Sequence, residues 1–452
     1  MAYVDTLRPY EQDPQALEQR YREARSNGQI HEFAQAVRLL HAEASDQPLL
    51  QAWFYRLAEN TEESRPQNGP NWQVAIGLSL FCGIIFWYLS DFDFFVLNNA
   101  FPLFALAAAP ISALFILTFL YAAQPLRTSR QLQQLLLLGV LLAGGVAYVA
   151  YVGPNIAMTG NQDSYLILAV PHLALLAWVA IGTWLLWTKA TASDHFAFLL
   201  KSFETVVVGG LFVLAGGLFT AITVGLLETL GISADEWLMR IIIIGGGGLI
   251  PVLAVALTYD PKRAPQEQSF QAGISQLITT LMRLMLPLVL LLLVVYIGLI
   301  PLNFRQPFQN REVLIVYNLL LFAVIGLLIS ATPLAAHGLR PGQVRWLRRG
   351  LVSLAGLAVL ISVYALTAIG YRTWMDGFTP NRLTIIGWNL LNIGLLTLLL
   401  IRQSRSDSQS WLPALYSTFA QGAKVYLVWA VAVLLLLPWV FMWASEPIKL
   451  WR

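Results

Sequence analysis

The chain has 452 residues, of which 57% are hydrophobic and 12% charged, with a net charge of +3 and a mean hydropathy of +0.63. Globular domains carry about 25% charged residues, so this composition excludes an ordinary soluble fold. The sequence has no stripe of basic residues and no face that combines basic and aromatic residues, so we expect no nucleic-acid partner. The single cysteine, Cys82, excludes a disulfide framework and a thiolate metal cluster.

Residues 1–65 form a polar N-terminal arm, whose apolar spacing predicts two or three short amphipathic helices. Asp13 is suited to cap a helix that begins at Pro14, because proline is tolerated in the first helical turn. Two further helices are predicted over residues 30–44 and 49–57 from the spacing of their apolar residues. We expect this arm to lie in the cytoplasm and to contact a protein partner there.

The junction between the arm and the first apolar stretch is a predicted linker, residues 66–71, which contains glycine and proline. The arm does not begin with a basic segment followed by an apolar one, so we expect no cleaved signal peptide. The apolar stretch over residues 72–90 would then itself direct the chain to the membrane.

Apolar stretches long enough to cross a bilayer fill residues 72–443. Because a span needs about 20 residues, they predict an all-α polytopic bundle of about eleven spans, followed by a short tail over residues 444–452. The predicted spans are 72–90, 100–122, 132–152, 165–187, 205–227, 240–258, 284–302, 312–332, 350–370, 382–401 and 424–443. The sixth contains four glycines, Gly245 to Gly248, and Pro251, which predicts a kink or a close helix contact.

The orientation follows from Lys and Arg in the loops, because these residues favour the cytoplasmic side. With the arm inside, the even-numbered loops and their flanks carry fourteen basic residues and the opposite side seven. This predicts a cytoplasmic N-terminus and a periplasmic C-terminus.

Few ionisable residues lie within the predicted spans, which argues against an ion-coupled mechanism. For His172 we expect a neutral imidazole bonded to a neighbouring helix, and for Glu204 a pair with Lys201 at the membrane interface. Amide side chains are better represented in the later spans, and they could either join helices or line a polar cavity. These amides are Asn318, Asn389 and Asn392.

The loop before the tenth span is the most specific feature of the sequence. Thr379 can cap a helix that begins at Pro380, and Arg382 can reach back to Asp376. An alternative is an anion or lipid-headgroup site on the outer face. Its residues would be Arg372, Asp376, Gly377, Thr379 and Arg382.

The same stretch, Gly377 to Arg382, reads Gly-Phe-Thr-Pro-Asn-Arg and opens a late span. In this it resembles an uncharacterised family of bacterial polytopic inner-membrane proteins, catalogued as domain of unknown function 4153. The resemblance implies a location in a bacterial inner membrane. It implies no activity, because none is established for that family.

Three functional hypotheses remain open. The first is a membrane scaffold or sensor that anchors the cytoplasmic arm. The second is a transporter or permease-like bundle for a small or lipidic solute, with a polar cavity around His172, Asn389 and Asn392. The third, an intramembrane enzyme acting on lipid or polymer, has no identifiable catalytic residue, and no spacing indicates a metal site or a cofactor.

Overall fold

The structure, a computed structural model, describes most of the chain. The described residues are 2–26, 29–44, 47–63, 71–91, 95–96, 101–124, 127–156, 162–187, 190–232, 235–270, 273–309, 311–334 and 339–442. The chain folds as two compact units, Met1–Gly69 and Pro70–Arg452. The predicted tail lies outside the described residues, and so does the predicted linker apart from Asn71.

The first unit consists of four helices around an apolar core. They are α1 (Ala2–Leu7), α2 (Pro14–Ser26), α3 (Ile30–Glu43) and α4 (Pro48–Glu63). The side chain of Asp13 accepts bonds from the first turn of α2, at 2.9 and 3.1 Å. Tyr21, Phe33 and Trp53 pack against one another, with ring centroids 5.3–5.8 Å apart. The unit therefore has a core of its own, although α1 was not predicted because six residues carry too little periodicity.

The second unit is an antiparallel helix bundle. Its helices are α5 (Trp72–Leu89), α6 (Leu103–Ala122), α7 (Ser129–Ile156), α8 (Gln162–Leu185), α9 (Ala192–Thr229), α10 (Glu236–Met239), α11 (Gly246–Thr258), α12 (Gly273–Leu299), α13 (Gln306–Gln309), α14 (Arg311–Ala331), α15 (Pro341–Asp376), α16 (Pro380–Arg405) and α17 (Trp411–Val440). A π-helical segment, Arg240–Gly245, joins α10 to α11. Between α5 and α6, strands β1 (Phe95–Val96) and β2 (Phe101–Pro102) pair antiparallel.

The predicted all-α polytopic bundle is confirmed. In the described part of the chain, ten helical segments are long and apolar enough to cross a membrane, and α14 adds a shorter apolar stretch, Val316–Ala331. Several helices are longer than the predicted spans; α9 has 38 residues, or about 57 Å, against a hydrocarbon thickness of about 30 Å. The protein is a multi-pass membrane protein whose exposed apolar helix surfaces face lipid.

Side-chain contacts show that successive loops alternate between the two ends of the bundle. At one end Gln124 donates to Pro261 O and Arg348 to Ser406 O, which joins loops that the sequence assigns to the basic side. At the other end Arg240 donates to Trp87 O. We call the first the basic end and the second the opposite end.

The bundle has two large apolar clusters. One lies among α5, α6, α7, α8 and α11, and the other among α9, α12, α14, α15, α16 and α17. A smaller cluster connects the two halves, because Leu434 and Leu437 of α17 pack with Leu166 and Leu173 of α8.

The glycine-rich sixth span packs backbone against backbone with the first. A Cβ on Gly248 would lie 2.7 Å from Gly83 Cα, and one on Gly83 would lie 2.7 Å from Gly245 O. Neither contact leaves room for a side chain. Of the two predicted alternatives at the sixth span, the close contact is therefore present, and the π-helical segment leads into it.

Candidate functional site

The turn between α15 and α16 is held by its own residues. Gly377 has a φ of +85°, a conformation that favours glycine, and Thr379 Oγ1 accepts from Arg382 N at 3.3 Å. Arg382 donates to Asp376 Oδ2 at 2.7 Å and to Gly377 O at 2.8 Å. Its guanidinium therefore serves to close the turn.

Arg372 lies in the last turns of α15, half-buried, and has no hydrogen bond or ion pair among the described residues. Of the two arginines in the proposed outer anion site, Arg382 is bonded within the turn and Arg372 has no partner among the described residues. This geometry favours a capped helix start over a headgroup site.

His172 is 2% exposed and bonded at both ring nitrogens. Its Nε2 lies 3.1 Å from Trp388 Nε1, which can only donate, and its Nδ1 lies 2.7 Å from Leu168 O, which can only accept. These partners fix a neutral imidazole with the proton on Nδ1. His172 thus joins α8 to α16.

The predicted amides also bond between helices. Asn389 Nδ2 donates to Asn318 Oδ1 at 2.7 Å, which joins α16 to α14. Asn392 Oδ1 accepts from the Tyr426 hydroxyl, which joins α16 to α17, and the Tyr426 ring packs against Trp388 at 5.2 Å. The helix α16 therefore contacts three neighbours through polar side chains.

Three polar atoms in this region are buried without a hydrogen-bond partner: Asn389 Oδ1, Asn392 Nδ2 and Trp429 Nε1. The Trp429 indole lies directly over α16, because a Cβ on Gly387 would be 1.9 Å from its Cζ2. Asn389 and Asn392 are fully buried. Such groups are rare in native proteins and commonly indicate a bound water or polar ligand.

Glu204 forms the predicted pair with Lys201, at 2.8 Å. Both side chains are buried, at 1% and 5% exposure. Lys201 also donates to Ser269 O at 2.7 Å and Ser275 Oγ at 2.8 Å, and its ammonium lies 4.6 Å from the Phe270 ring centroid. The loop before α12 covers the pair, and loop packing of this kind is not visible in local sequence.

Sequence reasoning missed several polar partners. Neither Trp388 nor Tyr426 is singled out as a candidate from the sequence, although tryptophan and tyrosine usually need a hydrogen-bond partner when buried. Ser275 Oγ donates to Glu204 Oε2 at 2.7 Å and so joins α12 to the buried pair, while Glu204 Oε1 has no hydrogen-bond partner among the described residues. The signal for Ser275 is weak, because serine in an apolar helix commonly bonds to its own backbone.

The chain was compared with protein-family models, curated proteins and solved structures. None of the three comparisons gives a match.

Proposed function

We propose that this protein is a membrane scaffold or sensor, in which the helix bundle anchors the N-terminal helical unit and that unit binds a protein partner in the cytoplasm. The basic end would then face the cytoplasm, as the excess of Lys and Arg there favours. The likeness of Gly377 to Arg382 to the uncharacterised bacterial family supports an inner-membrane location.

The observation that carries this proposal is the independent core of the first unit. Leu17, Phe33, Val37, Leu50 and other apolar residues are buried within Met1–Gly69 alone. A unit that satisfies its own core keeps its outer surface for a partner. Leu39 on α3 supports such a surface, because 47% of this leucine is exposed.

The test is affinity capture from membranes with the full-length chain and with a chain lacking residues 1–65. We expect the shortened chain to insert and fold yet lose a captured protein. Leu39→Asp in the full-length chain should weaken capture of the same protein. Gln51→Asp, at another exposed position of this unit, should not. Equal capture by the full-length and shortened chains would contradict the proposal.

A transporter is the second candidate, because the three unpartnered atoms of Asn389, Asn392 and Trp429 would suit a polar solute or water. Its test is labelling of an Asn392→Cys variant, with Cys82 replaced by alanine, by a membrane-impermeant thiol reagent. Labelling would support a hydrated pathway. No labelling, matching a buried Ala358→Cys control, would support helix packing alone.

The enzyme hypothesis receives no such support. Asp376 is the acid closest to the outer turn, and its carboxylate binds Arg382.

A further inference from the structure

A polar cavity of about 520 Å³ lies at the basic end of the bundle. The ends of α6 to α9 and the loop after α11 line it. Small-molecule sites commonly have volumes of about 300–1,000 Å³, so the cavity has the size of a ligand site. No residue predicted as functional from the sequence lines it.

The loop on one side of the cavity is held in place by hydrogen bonds from two glutamine side chains. Gln268 is 7% exposed, and its amide nitrogen donates to Asp260 O at 2.9 Å and Arg263 O at 3.1 Å. Its amide oxygen accepts from Asp260 N at 2.9 Å. Gln124 fastens the loop to α6 through Pro261 O at 2.8 Å. The loop therefore presents its side chains from a defined backbone.

Three cationic side chains line the cavity, and two of them have no ion pair among the described residues. Arg263 pairs with Asp260 at 3.3 Å. Arg130 and Lys262 have no ion pair among the described residues, and both are exposed. The one acid in the lining, Asp194, accepts bonds at Oδ2 from Thr191 in the cap of α9. The three cations outnumber Asp194 and the Asp260 carboxylate that pairs with Arg263, so the cavity keeps a net positive charge.

A buried amide adds a second, independent observation. Gln134 lines the cavity, is 9% exposed and has no hydrogen bond among the described residues. Its amide atoms are not among the fully buried polar atoms that lack a partner, so they are open to the cavity. From this position in the cavity wall the Gln134 amide can bond to a ligand.

We propose that this cavity binds a phosphate group, carried by a soluble small molecule or by a lipid headgroup. Arg130 and Lys262 contact the phosphate, and the Gln134 amide donates a hydrogen bond to the same ligand. A phosphate monoester carries about −1.5 to −2 charges near neutral pH and matches two free cations, whereas a carboxylate carries one. This site goes beyond the proposed function and does not depend on it.

The test is calorimetric titration of the full chain in nanodiscs of phosphatidylcholine. The probes are glycerol 3-phosphate, which is soluble, and dihexanoyl phosphatidic acid, which adds acyl chains to the same headgroup. Binding of both identifies a soluble phosphate ligand, and binding of the second alone identifies a lipid headgroup. Free glycerol should give no heat of binding in either case.

Variants locate the binding in this cavity. We expect Lys262→Gln and Arg130→Gln each to weaken binding about tenfold, and Gln134→Leu to weaken it with every charge kept. Arg345→Gln is the matched control, because Arg345 is exposed at the same end and does not line the cavity. Thermal unfolding of each variant shows whether it is folded. Failure of both probes to bind, or binding that none of the three cavity variants weakens, would overturn the proposal.

Discussion

The turn before α16 and the cavity at the basic end use their positive charges in opposite ways. Arg382 gives its guanidinium to Asp376 and to a carbonyl of its own turn. Arg130 and Lys262 line a polar space and have no ion pair among the described residues. The turn is the most specific motif in the sequence, yet the Arg382 guanidinium is bonded within the turn itself. A charged residue that a sequence motif identifies is therefore not necessarily one that is free to bind a ligand.

Among the charged residues that are paired within the fold, Lys201 should give the largest loss of stability when it is replaced. In Lys201→Met the buried Glu204 loses its partner, and we expect the free energy of unfolding to fall by about 3–5 kcal/mol. Denaturant titration in mixed micelles measures this loss. The double variant Lys201→Met with Glu204→Gln should recover most of it, because no buried charge then remains. Unchanged stability in the single variant would refute the buried pair.

Arg348 should come next, because it closes the connection between α16 and α17. Its Nη2 donates to Gln403 O at 2.8 Å and to Ser406 O at 2.7 Å. We expect Arg348→Ala to lower the free energy of unfolding by about 1.5–3 kcal/mol, the range for charged hydrogen bonds. Arg349→Ala, at an exposed neighbour, should leave it unchanged. Similar losses in the two variants would indicate a general effect of charge.

Arg382→Ala should have a smaller effect on stability. The Asp376 partner is 57% exposed, so water screens the pair and we expect a loss below about 1 kcal/mol. Arg372→Ala is the control, since Arg372 has no bond among the described residues. Phosphate binding at the cavity should be the same in both variants. A loss of binding in Arg382→Ala would break the contrast between the two regions.

Asp407, in the connection after α16, should give the smallest effect. A hydrogen bond from the Ser410 hydroxyl, helped by backbone N–H groups, lowers the pKa of its carboxyl. Its contribution is therefore present above the pKa of the unfolded chain and is lost as the pH falls through the lower folded pKa. The thermal midpoints of the wild-type chain and Asp407→Asn should differ near neutral pH and converge in acid. A constant difference would rule out this ionisation.

The sequence was sufficient for features that depend on local order. Hydropathy located the spans, and the spacing of Asp376, Thr379 and Arg382 predicted the closed turn. The Asp13 cap was predictable for the same reason, because its donors are the next residues of the chain.

Contacts between distant residues could not be predicted in this way. His172 and Trp388 are 216 positions apart, and apolar periodicity does not specify which helices become neighbours. The cavity could not be predicted for the same reason, because its lining residues Gln134, Asp194 and Lys262 come from three separate segments of the chain. A glutamine in an apolar helix becomes informative only when its surroundings are known.

The glycine contact between α5 and α11 has a consequence for the order of assembly. Synthesis proceeds from the N-terminus, so α5 enters the membrane while α11 has not yet been made. The face of α5 at Gly83 must therefore pass through an interval against lipid or the insertion machinery, until four further spans have followed. Because the final contact has no side chain that could adjust, α11 must arrive in register. The first half of the bundle is thus completed by its last helix to be synthesised.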